Sequence, residues 1–438
     1  MPRDVAPRAE SAIVRRLARF RGLPWVALTV VALLALSAPF ALDPIRDAAT
    51  LLPMVEASLH RPASYLLLAP VSSILDTITL LSARQHIALL VTLLLGWTLW
   101  WWWRLPELDV AVTPARRAVR VAARVGIALA LLIGLYVAAV LFPRPMAGLD
   151  TAGPDIVAID FHAHTKYSHD GRWNWNPEDV REWHRDAGFD VAYISDHRTF
   201  EGARDGWANN PTSSGEATIL LPAIEVVWRG EHVNILDADR MYRGILTPSL
   251  RDVDDEALRL ASLVPGNEPV LIETIPGNLS QMGPAKGPAT AGVRAIEIVD
   301  GAPRGLGQSR QERQRILALA DSFNLALVAG SDHHGWGHTA SAWTLMLLPG
   351  WRAVPPEELS KAIARTLRQQ GRAGTKVAER YVADTDQGLA LPLTVPLVAW
   401  GMFRALSFDE RVVWLAWVAA LSVLARVQRM RRRTPGDG

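Results

Sequence analysis

The stretch IVAIDFHAHTKYSHDG, residues 156–171, decides how this chain is read. Its opening run, Ile156–Ile159, is short, uncharged and β-branched, as a buried strand requires. Chemistry follows at once, in Asp160-Phe161-His162-Ala163-His164 and then Asp170-Gly171. Residues i and i+2 of a strand project to the same side, so the imidazoles of His162 and His164 can reach one cation.

The same arrangement recurs downstream. Val191–Ile194, Ile219–Ala223, Val233–Leu236, Val270–Ile275, Ala295–Val299 and Ala326–Ala329 read as further buried strands. Between them lie charged helical intervals, among them Asn176–Ala187, closed by Gly188, and Ser309–Ser322. Alternation of this kind predicts a mainly parallel α/β sheet or barrel over residues 150–385. The strand ends carry the unusual residues: Asp196-His197 after the second, Glu225 at the end of the third with His232 close behind, and Asp332-His333-His334 after the last. In a β/α barrel such ends converge on one mouth. A lone histidine beside a strand is usually a surface or hydrogen-bonded residue. Here seven of the eleven histidines (His162, His164, His169, His197, His232, His333 and His334) fall at or beside strand ends, and packing accounts for one or two of them. Imidazoles with carboxylates suit zinc, manganese or iron, and a carboxylate such as Glu225 can bridge two ions. Paired cations acidify water and stabilise both oxygens of a displacement, so hydrolysis needs no protein nucleophile.

Composition narrows the classes. There are no cysteines, which excludes disulfides, thiolate metal sites and a cysteine nucleophile. A net charge of +2 gives no bulk electrostatic case for nucleic acid, and no nucleic-acid partner is expected. Residues 1–149 read as a membrane region. Pro24–Leu42, Ile87–Trp103 and Val125–Phe142 approach the roughly 20 apolar residues that cross a bilayer. Tyr65–Leu81, with Pro70 and Asp76, is a weaker fourth segment that does not span fully. The block Trp100–Trp103 before Arg104 fits an interfacial aromatic belt with a cationic anchor, or a stacking surface for a ligand. Residues 386–438 hold one or two further apolar segments and a basic tail. Arginines in the leader (Arg15, Arg16, Arg19, Arg21) and at Arg104, Arg116, Arg117, Arg120 and Arg124 place both stretches in the cytoplasm by the positive-inside rule. A multi-pass inner or plasma membrane protein with an extracytoplasmic (periplasmic) catalytic domain is therefore expected. Apart from Asp76 the apolar segments hold little charge, which argues against a transport path.

DFHAHTKYSHDG, ISDH, AIEV followed by HVNIL, AIEIVDG and GSDHH resemble, in that order, the motifs of the polymerase and histidinol phosphatase (PHP) superfamily. The resemblance covers residues 155–345. It implies a distorted (β/α)7 barrel flanked here by N- and C-terminal transmembrane helices, two to three divalent metal ions, and hydrolysis of a small, anionic ester, most often a phosphoester. Carried over by position, it implies that His162, His164, Glu225 and Asp332 hold one metal and that Asp170, His197 and His334 hold another. His232 matches the ligand after the glutamate. His169 is expected to be non-ligating, His333 to lie on the rim, and Asp196, which precedes a ligand in the catalytic site, to orient backbone or a neighbouring imidazole. One departure stands out: Ile275 occupies the place of the family's middle histidine, leaving Glu273 as a substitute donor.

Lys166, Arg172 and Arg198 fit either anion-binding groups or solvated loop charges. His338 fits a proton donor to the leaving group or a plain loop histidine. Trp173 and Trp175 either wall the entrance or pack on the rim. The competing class is a membrane-anchored sensor or binding module that keeps a degenerate barrel.

Overall fold

The structure is a computed structural model that describes residues 25–108, 113–197, 199–228, 231–236, 270–274, 293–386 and 388–433. The leader arginines, Arg198 and Ile275 lie outside the described residues.

All seven expected strands form. They are β4 (Ile156–Ala163), β5 (Val191–Ile194), β6 (Ile219–Trp228), β7 (Glu231–Leu236), β8 (Leu271–Glu273), β9 (Val293–Asp300) and β10 (Ala326–Gly330). They are preceded by β1 (Ile45–Asp47), β2 (Ala57–His60) and β3 (Gly148–Thr151), and followed by β11 (Ala342–Leu347) and β12 (Lys376–Arg380). One mixed sheet of ten strands runs in the order β1-β12-β11-β4-β5-β6-β7-β8-β9-β10. β4, β5 and β6 pair in parallel, as do β8, β9 and β10, whereas β7 is antiparallel to both its neighbours. The sheet curls until the segment leaving β10 meets β4 again. Asp332 N–H donates to His162 O at 2.8 Å, and His164 N–H donates to His333 O at 3.0 Å. This closure brings the first and last motifs to one mouth.

The interior explains why the strand runs are nearly continuous in apolar residues. Val157, Ile159, Val191, Ile219, Leu221, Ala326 and Val328 are fully or almost fully buried in one shared cluster, and each large side chain contributes roughly 1.5–3 kcal/mol by leaving water. Phe161, between the two histidines, stacks on Tyr193 with ring centroids 5.2 Å apart. Helix α6 (Pro177–Asp186) follows β4. Asp179 accepts from the Asn176 N–H at 2.8 Å to cap its start, and Gly188, at φ +82°, turns the chain into β5.

The N-terminal part forms α1 (Trp25–Ser37), α2 (Ala63–Leu67), α3 (Ala69–Thr79), α4 (Ala83–Leu108) and α5 (Pro114–Leu141). Among the described residues only α5 is by itself long and apolar enough to cross a membrane, and α3 with α4 qualifies only as a pair bent by 118°. The described parts of the expected terminal spans do not reach that length and hydropathy. Trp25–Ser37 has 13 described residues, α10 (Thr394–Ala405) has 12, and in α11 (Phe408–Arg433, 26 residues) the uncharged run is only Val412–Ala425. The reason is local. Proline, acidic and basic residues interrupt runs that look apolar when only their best windows are counted. Asp76 of α3 is buried against the barrel, where its carboxylate meets Arg144, Arg380, Tyr65 and Thr339.

Candidate metal centre

β4 positions two of the three sets of donors. His162 Nε2 lies 2.9 Å from Glu225 Oε2 and 3.4 Å from Asp332 Oδ1. His164 Nε2 lies 3.3 Å from Glu225 Oε2 and 3.2 Å from Asp332 Oδ1. The loop after β4 adds Asp170, whose Oδ2 is 3.5 Å from His197 Nε2 and 3.3 Å from His334 Nε2. That loop is zipped to the one after β10, since Arg172 N–H donates to His334 O at 3.0 Å. His197 also approaches Glu225 at 3.4 Å, and His232 Nδ1 contacts Glu225 Oε1 at 2.6 Å. Three overlapping groups result: His162, His164 and Asp332; His164, Asp170, His197 and His334; and His197, Glu225 and His232. Within each, the donor atoms lie within 4.8 Å of one another.

The donor set fits divalent cations on an observation internal to it. His164 is completely buried, yet neither ring nitrogen makes a hydrogen bond; Nε2 instead faces carboxylate oxygens at off-angle contacts. Buried polar atoms rarely go without partners, and a cation held by the surrounding donors would supply one to His164. Electrostatics say the same. Burial pushes the His162 imidazole down, but Glu225, Glu297 and Asp332 outweigh it and hold its pKa well above the ordinary value. Burial also opposes charge on His164, and Asp332 and Glu225 still raise it to about 10. The acidic partners thus demand positive charge, which protons or a divalent cation can supply. His197 goes the other way. Burial, with His164 and His162, takes it to about 4 despite Glu225 and Asp170, so its lone pair is free for a cation.

Backbone geometry is tuned to the cluster. Asp332 sits in the left-handed region at φ +47°, a conformation aspartate tolerates better than most residues. At Gly330 a Cβ would come within 2.5 Å of His162 Cβ and 2.4 Å of Glu297 Oε1, so β10 can approach only with glycine there.

Several positioning groups were not legible in advance. Glu297 of β9 holds His162 Nδ1 at 3.0 Å. Asp160 clamps two strands, accepting from His162 N–H at 3.1 Å and Ser331 N–H at 2.9 Å, and its other oxygen meets His184 Nε2 at 2.7 Å. Both acids stood inside quoted motifs, but only pairing across the sheet reveals what they touch.

The remaining expectations divide. Asp196 orients backbone: Thr165 occupies both its oxygens, by its N–H and its hydroxyl, each at 2.6 Å. His338 is half-buried, and burial with Arg144 and Arg172 keeps its pKa down. It is not among the side chains lining the cavity that holds Asp170, Asp332 and His334. His333, expected on the rim, is buried and stacks on Trp183 at 4.0 Å between centroids. Trp175 packs edge-on against it, while Trp173 is exposed. His169 touches His197 edge-on and belongs to none of the three groups. Glu273 is buried and likewise belongs to none. Lys166 is held by Asn176 Oδ1 at 2.6 Å, and Arg172 reaches Gly335 O at 3.3 Å and lies over Trp336.

No family model and no curated protein matches the chain. Solved structures share part of it at low identity. PsfC from Pseudomonas syringae is 17% identical, over 57% of this chain and 98% of its own, at a TM-score of 0.36. A two-domain protein from Bacteroides vulgatus that contains a predicted PHP-like metal-dependent phosphoesterase is 16% identical, over 55% of this chain and 70% of its own, at 0.33. A lesion-specific endonuclease from Pyrococcus furiosus is 14% identical, over 48% and 56%, at 0.34. At such scores no activity transfers, and the chemistry stands on the side chains themselves.

Proposed function

We propose that this protein is a metal-dependent hydrolase of phosphate esters, tethered to a membrane by its N-terminal helices. One observation carries the reading: three donor groups drawn from five separate segments of the chain overlap, two of them sharing His164 and two sharing His197. The ordered motif resemblance to the PHP superfamily supports it. In this reading His162, His164, Glu225 and Asp332 hold one cation, and Asp170, His197 and His334 a second. His232, with Glu225 and His197, completes a more open third position. Zinc, manganese or iron suits these donors. The cations, when bound, acidify water and neutralise charge on the ester.

The chain's own groups do the rest. Glu297 fixes the His162 ring, and Asp160 ties the ends of β4 and β10 so that ligands from both keep their spacing. Asp196 is a positioning residue that holds the Thr165 turn. Arg172, at the rim, is the cation best placed to meet a phosphate oxygen.

Membrane attachment is supported by α5, of whose apolar window only 6% is buried. The far end of the α4–α5 pair carries Arg117 over Trp102 and Arg124 over Trp101, a cationic aromatic belt remote from the barrel. Arginines at that end favour a cytoplasmic far side and an extracytoplasmic barrel. Activity of a cytoplasm-only reporter fused after residue 150 would overturn that sidedness.

Purified full-length protein is expected to hydrolyse an aryl phosphate with manganese or zinc and to hold more than one ion per chain. In His164→Ala both are expected to collapse. Unchanged turnover and unchanged metal content in that variant would remove the assignment, and a protein holding less than one ion would instead be a binding module.

A further inference from the structure

A cavity of about 470 Å³ lies between the barrel mouth and the helices. Its two sides differ in chemistry. Asp170, Asp332 and His334 line one, and the helices supply the other through Ile78 and Thr79 of α3, His86 of α4, and Tyr136, Ala139 and Val140 of α5. The joint is a fixed one, because Gly337 N–H, three residues after His334, donates to Val140 O at 2.9 Å. Around it Thr339 accepts from Arg144 at 2.7 Å and Thr79 bonds to Thr339 at 2.9 Å. The helix that walls the cavity is also the one whose outer surface is bare hydrocarbon: Ile133, Val137, Leu141 and Phe142 are exposed within one or two turns of Tyr136 and Val140. A water-soluble ester has no use for such a wall. A pocket with metal donors at one side and a membrane-compatible helix at the other matches an amphiphile.

We infer that the substrate is a phosphate ester of a long-chain alcohol, with its head at the donor groups and its hydrocarbon chain lying against α3 and α5. The inference rests on the hydrolase reading above. In the reaction water adds to phosphorus, the bond from phosphorus to the alcohol oxygen breaks, and that oxygen takes up a proton. Phosphate and the free long-chain alcohol are the products.

The test measures binding as well as turnover, on the full chain in phosphatidylcholine nanodiscs with manganese. Calorimetric Kd values are determined for ethyl-, hexyl- and decylphosphonate, which are not hydrolysed. If the chain occupies the apolar wall, affinity rises about threefold per methylene until the wall is covered. Val140→Trp fills that wall and is expected to flatten the series. Three equal Kd values in the parent protein, or an unchanged series in a folded Val140→Trp, would overturn the inference and leave the hydrolase reading standing. Absence of both phosphonate binding and aryl phosphate hydrolysis in metal-loaded protein would remove the two together. Should Val140→Trp fail to fold, the parent series alone decides.

Discussion

Two buried polar clusters meet at the same cavity, and they are built on opposite plans. Around Asp76 the charges complete one another. Oδ1 takes Thr339 at 2.9 Å and Arg144, and Oδ2 takes Tyr65 at 2.9 Å and Arg380 at 2.8 Å. Around Glu225 four imidazoles and a second acid crowd together, and His164 lacks a hydrogen bond from either nitrogen. The first cluster is closed, and its function is to hold helices α2 and α3 to the barrel. The second leaves imidazole nitrogens of His164 without a hydrogen bond among carboxylates and other imidazoles. A buried carboxylate is therefore informative through its partners: guanidinium groups mark a joint, imidazoles and further carboxylates mark a cation site.

Substitutions can break this contrast. The largest effect is expected at Glu225, which all three donor groups approach. Glu225→Gln keeps the shape and removes the charge, so turnover on an aryl phosphate should fall at least about a thousandfold with little change in circular dichroism. A loss under tenfold would show that the carboxylate is not central. Asp76→Ala should do the reverse. Leaving Arg144 and Arg380 buried without their shared partner costs about 3 kcal/mol or more, read as a lower unfolding midpoint, while turnover per folded molecule on a soluble aryl phosphate holds. If activity fell and stability did not, the two clusters would not be separable in this way.

Smaller effects sharpen the comparison. Glu297→Gln weakens the hold on the His162 ring and should reduce metal affinity by about 10- to 100-fold, measured by chelator competition. Metal affinity equal to the parent's would demote Glu297 to a packing residue. Asp190 lies away from both clusters. Burial raises its carboxyl from 3.8 to about 6 despite the Ala158 N–H and Arg352. The folded protein therefore keeps a proton that the unfolded chain has released, and stability from this group is lost as pH rises from about 4 to 6. Asp190→Asn, which can still accept from Ala158, should match the parent near pH 4. Above pH 6 it should exceed the parent by on the order of 2 kcal/mol. Parallel stability curves across that window would refute the shift.

Legibility followed the range of the interactions involved. The seven central strands could be read because an unbroken β-branched run between turn residues needs nothing beyond its own neighbours to be recognised. β1, β11 and β12 could not, since Ile45–Asp47 and Lys376–Arg380 are too short and too mixed to stand out and exist because they pair with each other. β11 carries a better pattern, but its place beside β4 is a long-range choice. The bends in the apolar segments were not legible for the same reason in reverse. Local hydropathy counts apolar residues without knowing that Asp76 folds back onto Arg380 or that the chain bends between α3 and α4.

The order and identity of the donors, from His162 to His334, were determined by the sequence alone, because imidazole and carboxylate chemistry belongs to the residue and strand periodicity sets the side it faces. Which acid steadies which ring, that Asp196 serves Thr165, and that an apolar helix walls the metal mouth were decided only by the tertiary structure. Those outcomes depend on closure of a curled sheet and on packing between segments distant in sequence, and no local pattern encodes either.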